Sequence, residues 1–312
     1  MAVLVVGGAG FIGSVLIKKL VAEGKNVVVI DKLSLGKLDY IDTTAVRFYH
    51  EDINNIDKVS IILQDEPCIE EVWHLAANSD IPAGIKEIDV DLYDTFMSTV
   101  SILKIMARLD CKKLYFASSS AVYGVHDEKL YEDIGPLFPI SNYGAMKLAS
   151  EALVSASLES FLDTVSIFRF PNVVGIPATH GVILDFIKRL RENPSELQVL
   201  GNGTQQKVYI HIDELTEAML FINENAPQGL NYFNIGPEDV GVSVKTIAEQ
   251  TVKRVAPKAK IMYQNSDKGW IGDVPRFSYS VDKLKKLGWQ PEYSSIDAVI
   301  KAIDEIAKQE GY

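Results

Sequence analysis

A glycine-rich turn between an apolar strand and a helix opens the chain, and it constrains the fold more than any other feature. Residues Ala2–Val6 form a short apolar run of the kind that becomes a buried parallel strand. The turn that follows reads Gly7-Gly8-Ala9-Gly10-Phe11-Ile12-Gly13, and its regularly spaced glycines allow the backbone to approach a pyrophosphate at a helix N-terminus. Helical periodicity then continues to Leu20. This order predicts a dinucleotide-binding α/β unit.

A second apolar run indicates which dinucleotide binds. Residues Asn26–Ile30 read as another strand, and Asp31 stands at its end. An acid at the tip of this strand can accept hydrogen bonds from both hydroxyls of the adenosine ribose, and it would repel a 2′-phosphate. The sequence therefore favours NAD over NADP.

A possible proton-transfer site lies further along the chain. Tyr143 and Lys147 are four residues apart, so a helix would place the phenol and the ammonium on one face. A neighbouring cation favours the phenolate, and a hydroxyl from the upstream run Ser118-Ser119-Ser120 can hydrogen-bond to the same substrate oxygen. Such a pair occurs often by chance on helices, and its weight here comes from following a dinucleotide-binding start.

Composition excludes several other classes of protein. The 312 residues suffice for one large domain or two closely joined ones. A net charge of −11 argues against nucleic acid or an anionic membrane as the main partner, although it permits a phosphorylated small molecule. Cys68 and Cys111 offer neither a disulfide framework nor metal-ligand spacing, so we expect no metal. The N-terminal apolar run is too short for a signal peptide, and we expect a cytoplasmic protein.

Alternating strand-like and helical patterns predict the fold class. We expect a doubly wound parallel sheet, with helices on both faces, and a smaller C-terminal substrate-binding lobe. The predicted NAD-binding Rossmann domain spans residues 1–172, with 207–236 returning to it, and the lobe comprises 173–206 and 237–312. Helices are expected near 90–109, 143–161 and 295–309. The further predicted strands are Val46–His50, Glu71–Ala76, Lys113–Ala117 and Thr164–Phe170.

A set of ordered motifs resembles one family along the whole chain. The chain is similar to the extended short-chain dehydrogenase/reductases, in the NAD-dependent epimerase/dehydratase group that acts on nucleotide sugars. Within that group it most resembles the UDP-galactose (UDP-glucose) 4-epimerases, in particular the compact archaeal type. The motifs are the glycine turn, Asp31, Asp52-Ile53, His74-Leu75-Ala76-Ala77, Ser118–Gly124, Tyr143–Lys147, Asn172–Gly175, Gly201–Gln205 and Leu287-Gly288-Trp289.

The resemblance implies a role for each matching residue. Tyr143 would be the general base at the sugar 4-hydroxyl, Ser119 would hydrogen-bond the same oxygen, and Lys147 would hold the nicotinamide ribose and lower the pKa of the tyrosine. A transient 4-keto sugar would form while NAD stays bound. The implied cofactor-binding residues are Gly7, Gly10, Phe11, Ile12, Gly13, Asp31, Asp52, Ile53, Leu75, Ala76, Ala77, Ser118, Tyr143 and Lys147. The implied substrate-binding residues are Ser119, Tyr143, Asn172, Lys207, Trp270 and Asp273.

The two positions between Ser119 and Val122 bear on the reaction type. The 4,6-dehydratases of the group carry Asp-Glu at these two positions, whereas this chain has Ser120 and Ala121. Elimination of water would therefore lack a proton shuttle. An epimerase is favoured. A 4-dehydrogenase or a 4-keto reductase would use the same Tyr, Lys and Ser, and a noncatalytic NAD-binding regulator could share the fold.

Several positions depart from the family pattern, and others have two interpretations. Val6 replaces a threonine, Thr95 an asparagine, Lys207 an arginine and Trp270 a second arginine, while Pro171 adds rigidity before Asn172. His74 and His180 are expected to be structural rather than catalytic. The resemblance also implies a homodimer, for which the apolar positions Leu92, Phe96, Val100 and Leu103 could form a face, although the same spacing suits internal packing.

Overall fold

The computed structural model describes residues 1–126, 128–265, 278 and 280–312. The predicted ligands Trp270 and Asp273 therefore lie outside the described residues. The chain divides into two compact units. The first contains Met1–Gly124, Pro136–Arg169 and Met219–Phe233, and the second contains Val125–Gly135, Phe170–Ala218 and Asn234–Tyr312. That the first unit binds NAD and the second binds the sugar nucleotide stays a prediction.

A seven-stranded sheet forms the centre of the first unit. Its strands are β1 Ala2–Val6, β2 Val27–Asp31, β3 Arg47–His50, β4 Ile69–His74, β5 Lys113–Ala117, β6 Thr164–Arg169 and β11 Gly229–Asn234. They lie in the order β11-β6-β5-β4-β1-β2-β3. All pairs among β1 to β6 are parallel. Every residue of β1 and β6 is buried, as expected for strands covered on both faces.

Helices pack against this sheet and complete its core. They are α1 Phe11–Ala22, α2 Ile56–Gln64, α3 Ile81–Lys86, α4 Ile88–Asp91, α5 Ser98–Leu109 and α6 Asn142–Ala156. A π-helical segment, Leu92–Met97, joins α4 to α5, and short 3-10 helices occur at Leu38–Tyr40, Ser120–Val122 and Ser157–Glu159. Apolar residues of β1, β2, β4, β5 and β6 form one cluster with Val59 of α2 and with Ile102 and Met106 of α5.

The predicted doubly wound α/β class is confirmed, with small shifts at the element ends. The strand predicted from Glu71 to Ala76 runs from Ile69 to His74, which places Leu75 and Ala76 in the loop after it. The helix predicted near 90–109 is instead α4, the π-helical segment and α5 in succession. Within the stretch 207–236, Gly229–Asn234 joins the large sheet, whereas Tyr209–His211 pairs with another short strand.

The described residues of the second unit form three two-stranded sheets and several helices. The remaining strands are β7 Asn172–Val174, β8 Glu196–Val199, β9 Gln206–Lys207, β10 Tyr209–His211, β12 Val242–Ser243 and β13 Lys260–Tyr263, paired as β7–β10, β9–β12 and β8–β13. The remaining helices of the described residues are α7 Val182–Glu192, α9 Val244–Val255, α10 Asp282–Leu287 and α11 Ser295–Gln309, together with α8 Ile212–Asn225, which belongs to the second unit up to Ala218 and to the first from Met219. Apolar faces of α7, α9 and α11 meet in one core cluster. A capping box between Ser294 and Asp297 starts α11, the helix predicted at 295–309.

Among the helices of the described residues, we find none whose length and apolar character would let it cross a membrane.

Candidate active site

The glycine turn has the geometry that the sequence predicts. Gly7 has a φ of +82°, and a Cβ added to it would lie 2.6 Å from the backbone nitrogen of Ala76. A Cβ on Gly13 would collide with the backbone of Gly7 and Gly8. The turn can therefore pack this closely only with glycine at these positions. Its close packing brings the start of α1, at Phe11, to the carboxyl end of the sheet, where the first N–H groups of a helix can receive a phosphate.

Asp31 is fixed against this turn. One carboxylate oxygen accepts a hydrogen bond from the backbone N–H of Ala9 at 2.9 Å, and the other accepts from Leu33 at 2.7 Å. Leu33 has a φ of +56°, so the chain bends sharply just after β2. The side chain of Asp31 is only partly buried, and its oxygens have further lone pairs for ribose hydroxyls.

Other predicted cofactor-binding residues follow neighbouring strands at the same edge of the sheet. Leu75 donates its N–H to the carbonyl of Val6 at 2.9 Å. Ala76 packs so closely against Gly7 that its backbone leaves no room for a Cβ on the glycine. Asp52, which follows β3, accepts from the N–H of Asn54 at 2.9 Å, and Ile53 is buried. In open parallel sheets, ligands bind outside the carboxyl ends of the strands, at such an edge.

Ser119 lies at the carboxyl end of β5, where it begins a short helical turn. Its hydroxyl oxygen accepts a hydrogen bond from Ala121 at 3.2 Å, which caps the 3-10 helix Ser120–Val122. The hydroxyl of Ser119 lies near enough to the phenol of Tyr143 to lower the pKa of Tyr143. Two of the three predicted catalytic side chains are thus neighbours.

The close approach of α6 to the serine turn explains this contact. Ser141 caps α6 by accepting from the N–H of Gly144 at 3.1 Å. A Cβ on Gly144 would lie 2.5 Å from the carbonyl oxygen of Ala121, so glycine lets the helix meet the turn. As a result Tyr143, in the first turn of α6, lies beside Ser119.

Lys147 lies one helical turn beyond Tyr143 and is 2% exposed. Its Nζ donates to the carbonyl of Ala117 at 2.6 Å and lies 5.9 Å from the centre of the Tyr143 ring. Burial disfavours the ammonium and lowers the pKa of Lys147 to about 7, although the carboxylates of Glu151 and Asp91 oppose that shift. The phenol and the amine therefore lie near each other on one face of α6, as the four-residue spacing predicts.

The acidity of Tyr143 differs from the expectation. The resemblance implied that Lys147 lowers the pKa of the tyrosine, but burial of the phenol raises this pKa to about 12. The hydrogen bond from Ser119 acts in the opposite direction, and the negative charge of Asp91 adds to the increase. Desolvation therefore has a larger effect on the pKa of Tyr143 than the opposing effect of Ser119.

Two acidic residues at this site escaped the sequence analysis. Glu151 is buried, forms an ion pair with Arg169 at 2.6 Å and accepts a hydrogen bond from Ser118. It lies four residues after Lys147, so the same helical spacing that identified Tyr143 could have found it. Asp91 is fully buried and its charge raises the pKa of both Tyr143 and Lys147, but its sequence neighbourhood contains three further acids and gives no such signal.

The predicted substrate residues Asn172 and Lys207 lie on short strands of the second unit. Asn172 is the first residue of β7, and its side chain donates to the carbonyl of Val208 at 3.4 Å. Lys207 ends β9 and pairs with Val242 of β12. His180 is exposed and hydrogen-bonds Thr179 at 2.8 Å. The prediction that His74 is a packed residue is confirmed, since it is fully buried.

The arrangement fits a dinucleotide. The close-packed glycine turn, the open start of α1 and the carboxylate of Asp31 all lie at the sheet edge that such a cofactor requires. Beside them, Ser119, Tyr143 and Lys147 can transfer a proton to or from a bound hydroxyl.

Comparison with known proteins agrees with this geometry. The model of the NAD dependent epimerase/dehydratase family matches residues 3–236. The UDP-glucose 4-epimerase of Lactobacillus helveticus is 30% identical over 320 residues, which cover 96% of this chain and 95% of that protein. A relative from the archaeon Methanocaldococcus jannaschii is 28% identical, with 97% of each chain covered. The Thermotoga maritima UDP-glucose 4-epimerase, crystallised with UDP-glucose, is 26% identical, with a TM-score of 0.89 over 99% of this chain and 100% of that one.

The chain belongs to the NAD-dependent epimerase/dehydratase family. The predictions of this family, of an NAD-dependent epimerase and of NAD as its cofactor are confirmed.

Proposed function

We propose that the protein interconverts UDP-glucose and UDP-galactose through a transient 4-keto sugar, with NAD held between turnovers. The observation that carries this proposal is the proximity of Ser119, Tyr143 and Lys147 at the carboxyl end of a parallel sheet. The named activities of the Lactobacillus helveticus and Thermotoga maritima relatives support the choice of substrate.

In this proposal each member of the trio has one role. Tyr143 removes the proton from the sugar 4-hydroxyl, while Ser119 hydrogen-bonds the same oxygen and favours the phenolate. Lys147, anchored on the carbonyl of Ala117, has two ammonium protons left for the nicotinamide ribose. Bound NAD supplies the acceptor and then the donor of a hydride. Tyr143 returns the proton when the other face of the sugar is reduced.

The cofactor-binding residues proposed from the resemblance lie around the sheet edge. The start of α1 would receive the pyrophosphate through the N–H groups that follow Gly10, and Asp31 would accept the adenosine ribose hydroxyls. Asp52 and Ile53 would contact the adenine. The loop after β4 and the serine run would border the nicotinamide half, through Leu75, Ala76, Ala77 and Ser118.

The second unit would hold the sugar nucleotide. We assign Asn172 and Lys207 to the diphosphate, since an amide and an ammonium both suit phosphate oxygens, although lysine lacks the bidentate fork of arginine. Trp270 and Asp273, proposed from the sequence for the nucleotide, complete the set.

Epimerisation is favoured over elimination by the turn after β5. Removal of water from the sugar needs an acid and a base beside the catalytic hydroxyl, and this turn carries Ser120 and Ala121 instead. Neither side chain can shuttle a proton as a carboxyl group does. Net oxidation or reduction at C4 would use the same trio and is separated from epimerisation by the experiment below.

We further propose a homodimer in the cytoplasm. Leu92, Phe96 and Val100 are partly exposed and can contribute to an interface, whereas Leu103 is buried in the core of its own unit. The free thiols of Cys68 and Cys111 suit a reducing compartment.

The proposed function is tested by incubating the purified protein with UDP-galactose, without added NAD, and separating the products by chromatography. We expect conversion to a mixture with UDP-glucose. Tyr143→Phe should lower the rate by about 10²–10⁴-fold, because it removes the proton acceptor. The exposed Tyr312 provides a matched control, since Tyr312→Phe makes the same chemical change away from the trio. A wild-type rate in Tyr143→Phe, or no conversion by a protein that contains NAD, would contradict the proposal.

A further inference from the structure

A buried ion pair is bonded to both ends of the turn Ser118–Tyr123, which carries Ser119. Its members, Glu151 of α6 and Arg169 at the end of β6, are 5% and 7% exposed. The guanidinium donates from Nε to Oε1 of the carboxylate at 3.0 Å and from Nη2 to Oε2 at 2.6 Å. Burying two charges is costly even when they are paired, and well-packed apolar residues are often as stable. The contacts of the pair with the turn indicate a role other than stability.

The carboxylate of the pair holds the first end of the turn. The hydroxyl of Ser118, a buried residue, donates a hydrogen bond to Oε1 of Glu151. The backbone N–H of Ser118 donates to the carbonyl of Phe168 at 2.8 Å, and Phe168 directly precedes Arg169. Ser118 is therefore fixed through both its side chain and its backbone, one residue before Ser119.

The guanidinium of the pair holds the other end of the turn. Nη1 of Arg169 donates to the phenol oxygen of Tyr123 at 3.1 Å, and the guanidinium carbon lies 5.1 Å from the centre of that ring. Tyr123 is fully buried and follows the 3-10 helix Ser120–Val122, which Ser119 caps at its start. Because one guanidinium bonds both Glu151 and Tyr123, the two ends of the turn have a common anchor.

We propose that Glu151 and Arg169 are positioning residues of the catalytic site, which hold the turn at both ends and thereby keep Ser119 in place beside Tyr143. Neither charged residue needs to touch the substrate. Arginine suits this role, since its planar fork can bond a carboxylate through two N–H groups and still donate to a third oxygen. The catalytic consequence rests on the proposed function, whereas the anchoring of the turn does not.

Removal of one hydroxyl group tests the anchor at Tyr123. Tyr123→Phe keeps the ring against the guanidinium and removes only the phenol oxygen, so it releases one end of the turn. We expect kcat for UDP-galactose to fall by about 10–10²-fold with KM nearly unchanged, since a displaced catalytic group affects the chemical step more than binding. The matched control is Tyr115→Phe, because Tyr115 is also buried and its hydroxyl bonds Asn223 instead of the turn. A wild-type kcat in Tyr123→Phe, or an equal fall in Tyr115→Phe, would overturn the proposal.

A double-mutant cycle shows whether this effect passes through Ser119. Ser119→Ala removes the hydroxyl that the turn presents, so in that background Tyr123→Phe should lower kcat by less than about twofold. Arg169→Lys is a second variant: lysine can pair with Glu151 but lacks the fork that also bonds Tyr123. It should reproduce the loss of Tyr123→Phe, and it replaces that variant if Tyr123→Phe does not fold. Full multiplication of the two losses in the cycle, or a wild-type kcat in folded Arg169→Lys, would refute the proposal.

Hydrogen exchange measures the anchoring of the turn without any substrate. The backbone N–H of Val122 donates to the carbonyl of Ser119 at 3.3 Å, within the turn. In Tyr123→Phe this amide should exchange about tenfold faster, whereas Tyr115→Phe should leave its exchange unchanged. An unchanged exchange rate in Tyr123→Phe would contradict the anchoring and with it the proposal. Faster exchange in a chain that does not convert UDP-galactose would support the anchoring and count only against the proposed substrate.

Discussion

At the scale of single residues, burial decides the charge state of the groups around the trio. Lys147 and His74 are buried and Tyr143 is partly buried, and the pKa of each is displaced toward the neutral form. The pKa values of the phenol and of the amine then depend strongly on a few neighbouring charges. This sensitivity is useful in a site that must take up a proton and return it.

His74 shows how these shifts affect stability. The hydroxyl of Thr99 donates to the carbonyl of Thr95 at 3.0 Å, so Nε2 of His74 must be the donor toward Thr99, at 3.2 Å. The other ring nitrogen is then unprotonated, and it has no hydrogen-bond partner among the described residues. Burial, with the nearby charge of Lys147, lowers the pKa of His74 from 6.5 to about 3.

The predicted consequence is a loss of stability in acid. Between pH 6.5 and about 3 the unfolded chain binds a proton at His74 that the folded chain does not, so stability falls as the pH falls. The slope should be roughly 1.4 kcal/mol per pH unit. His74→Gln keeps a donor for Thr99 and removes the titration, so urea unfolding at several pH values should show a flatter curve. The exposed His50, changed to Gln, is the control. Parallel curves for wild type and His74→Gln would refute this account.

At the scale of elements, the sequence contained the information for the cofactor half of the site. Three local features predict it, namely the run Ala2–Val6, the glycine turn and Asp31, and each depends on the chemistry of its own short segment. Tyr143 and Lys147 share a helix, and their spacing alone predicts a common face. Ser119 could be singled out from its serine run only through the resemblance, because its proximity to Tyr143 depends on the tertiary packing of Gly144 against Ala121.

Other elements could not be predicted, for physical reasons. Asp91 lies in a stretch rich in acids, and nothing local distinguishes it from the exposed Asp89, because its burial depends on Gly84 and Asn78. The π-helical segment has no sequence period that sets it apart from an α-helix. The strands β7 and β10 have three residues each, so they show no alternation, and their pairing joins segments 37 positions apart, from Asn172 to Tyr209.

The buried pair between α6 and β6 gives a prediction at this scale. Glu151→Gln removes the charge that matches Arg169 and leaves a buried guanidinium, which should lower the free energy of unfolding by about 3–5 kcal/mol. Replacing both residues, as Glu151→Gln with Arg169→Met, should cost less than the single change, because neither member of the pair then leaves an unmatched buried charge. Urea titration measures both effects. A double variant less stable than the single one would show that the pair is not the source of the loss.

At the scale of the whole molecule, assembly is the property that the sequence left open. The apolar positions proposed for a dimer face differ in burial. Leu103 is buried in the core, whereas Val100 is partly exposed on α5. We predict that the wild-type chain sediments at twice 34.5 kDa and that Val100→Glu sediments at 34.5 kDa. Ile61, exposed on α2, provides the control, since Ile61→Glu should leave the dimer intact. A monomeric wild-type chain would remove the proposed interface.

The central claim is that the chain catalyses epimerisation rather than net redox chemistry, and one measurement separates the two directly. Purified protein is given UDP-galactose without added NAD, and the absorbance of reduced nicotinamide is followed while the sugar products are counted. We predict many turnovers per chain, with reduced nicotinamide never exceeding one equivalent per chain. If reduced nicotinamide rose in step with product, or if turnover stopped after one equivalent until NAD was added, the chain would be a dehydrogenase and the claim would be wrong.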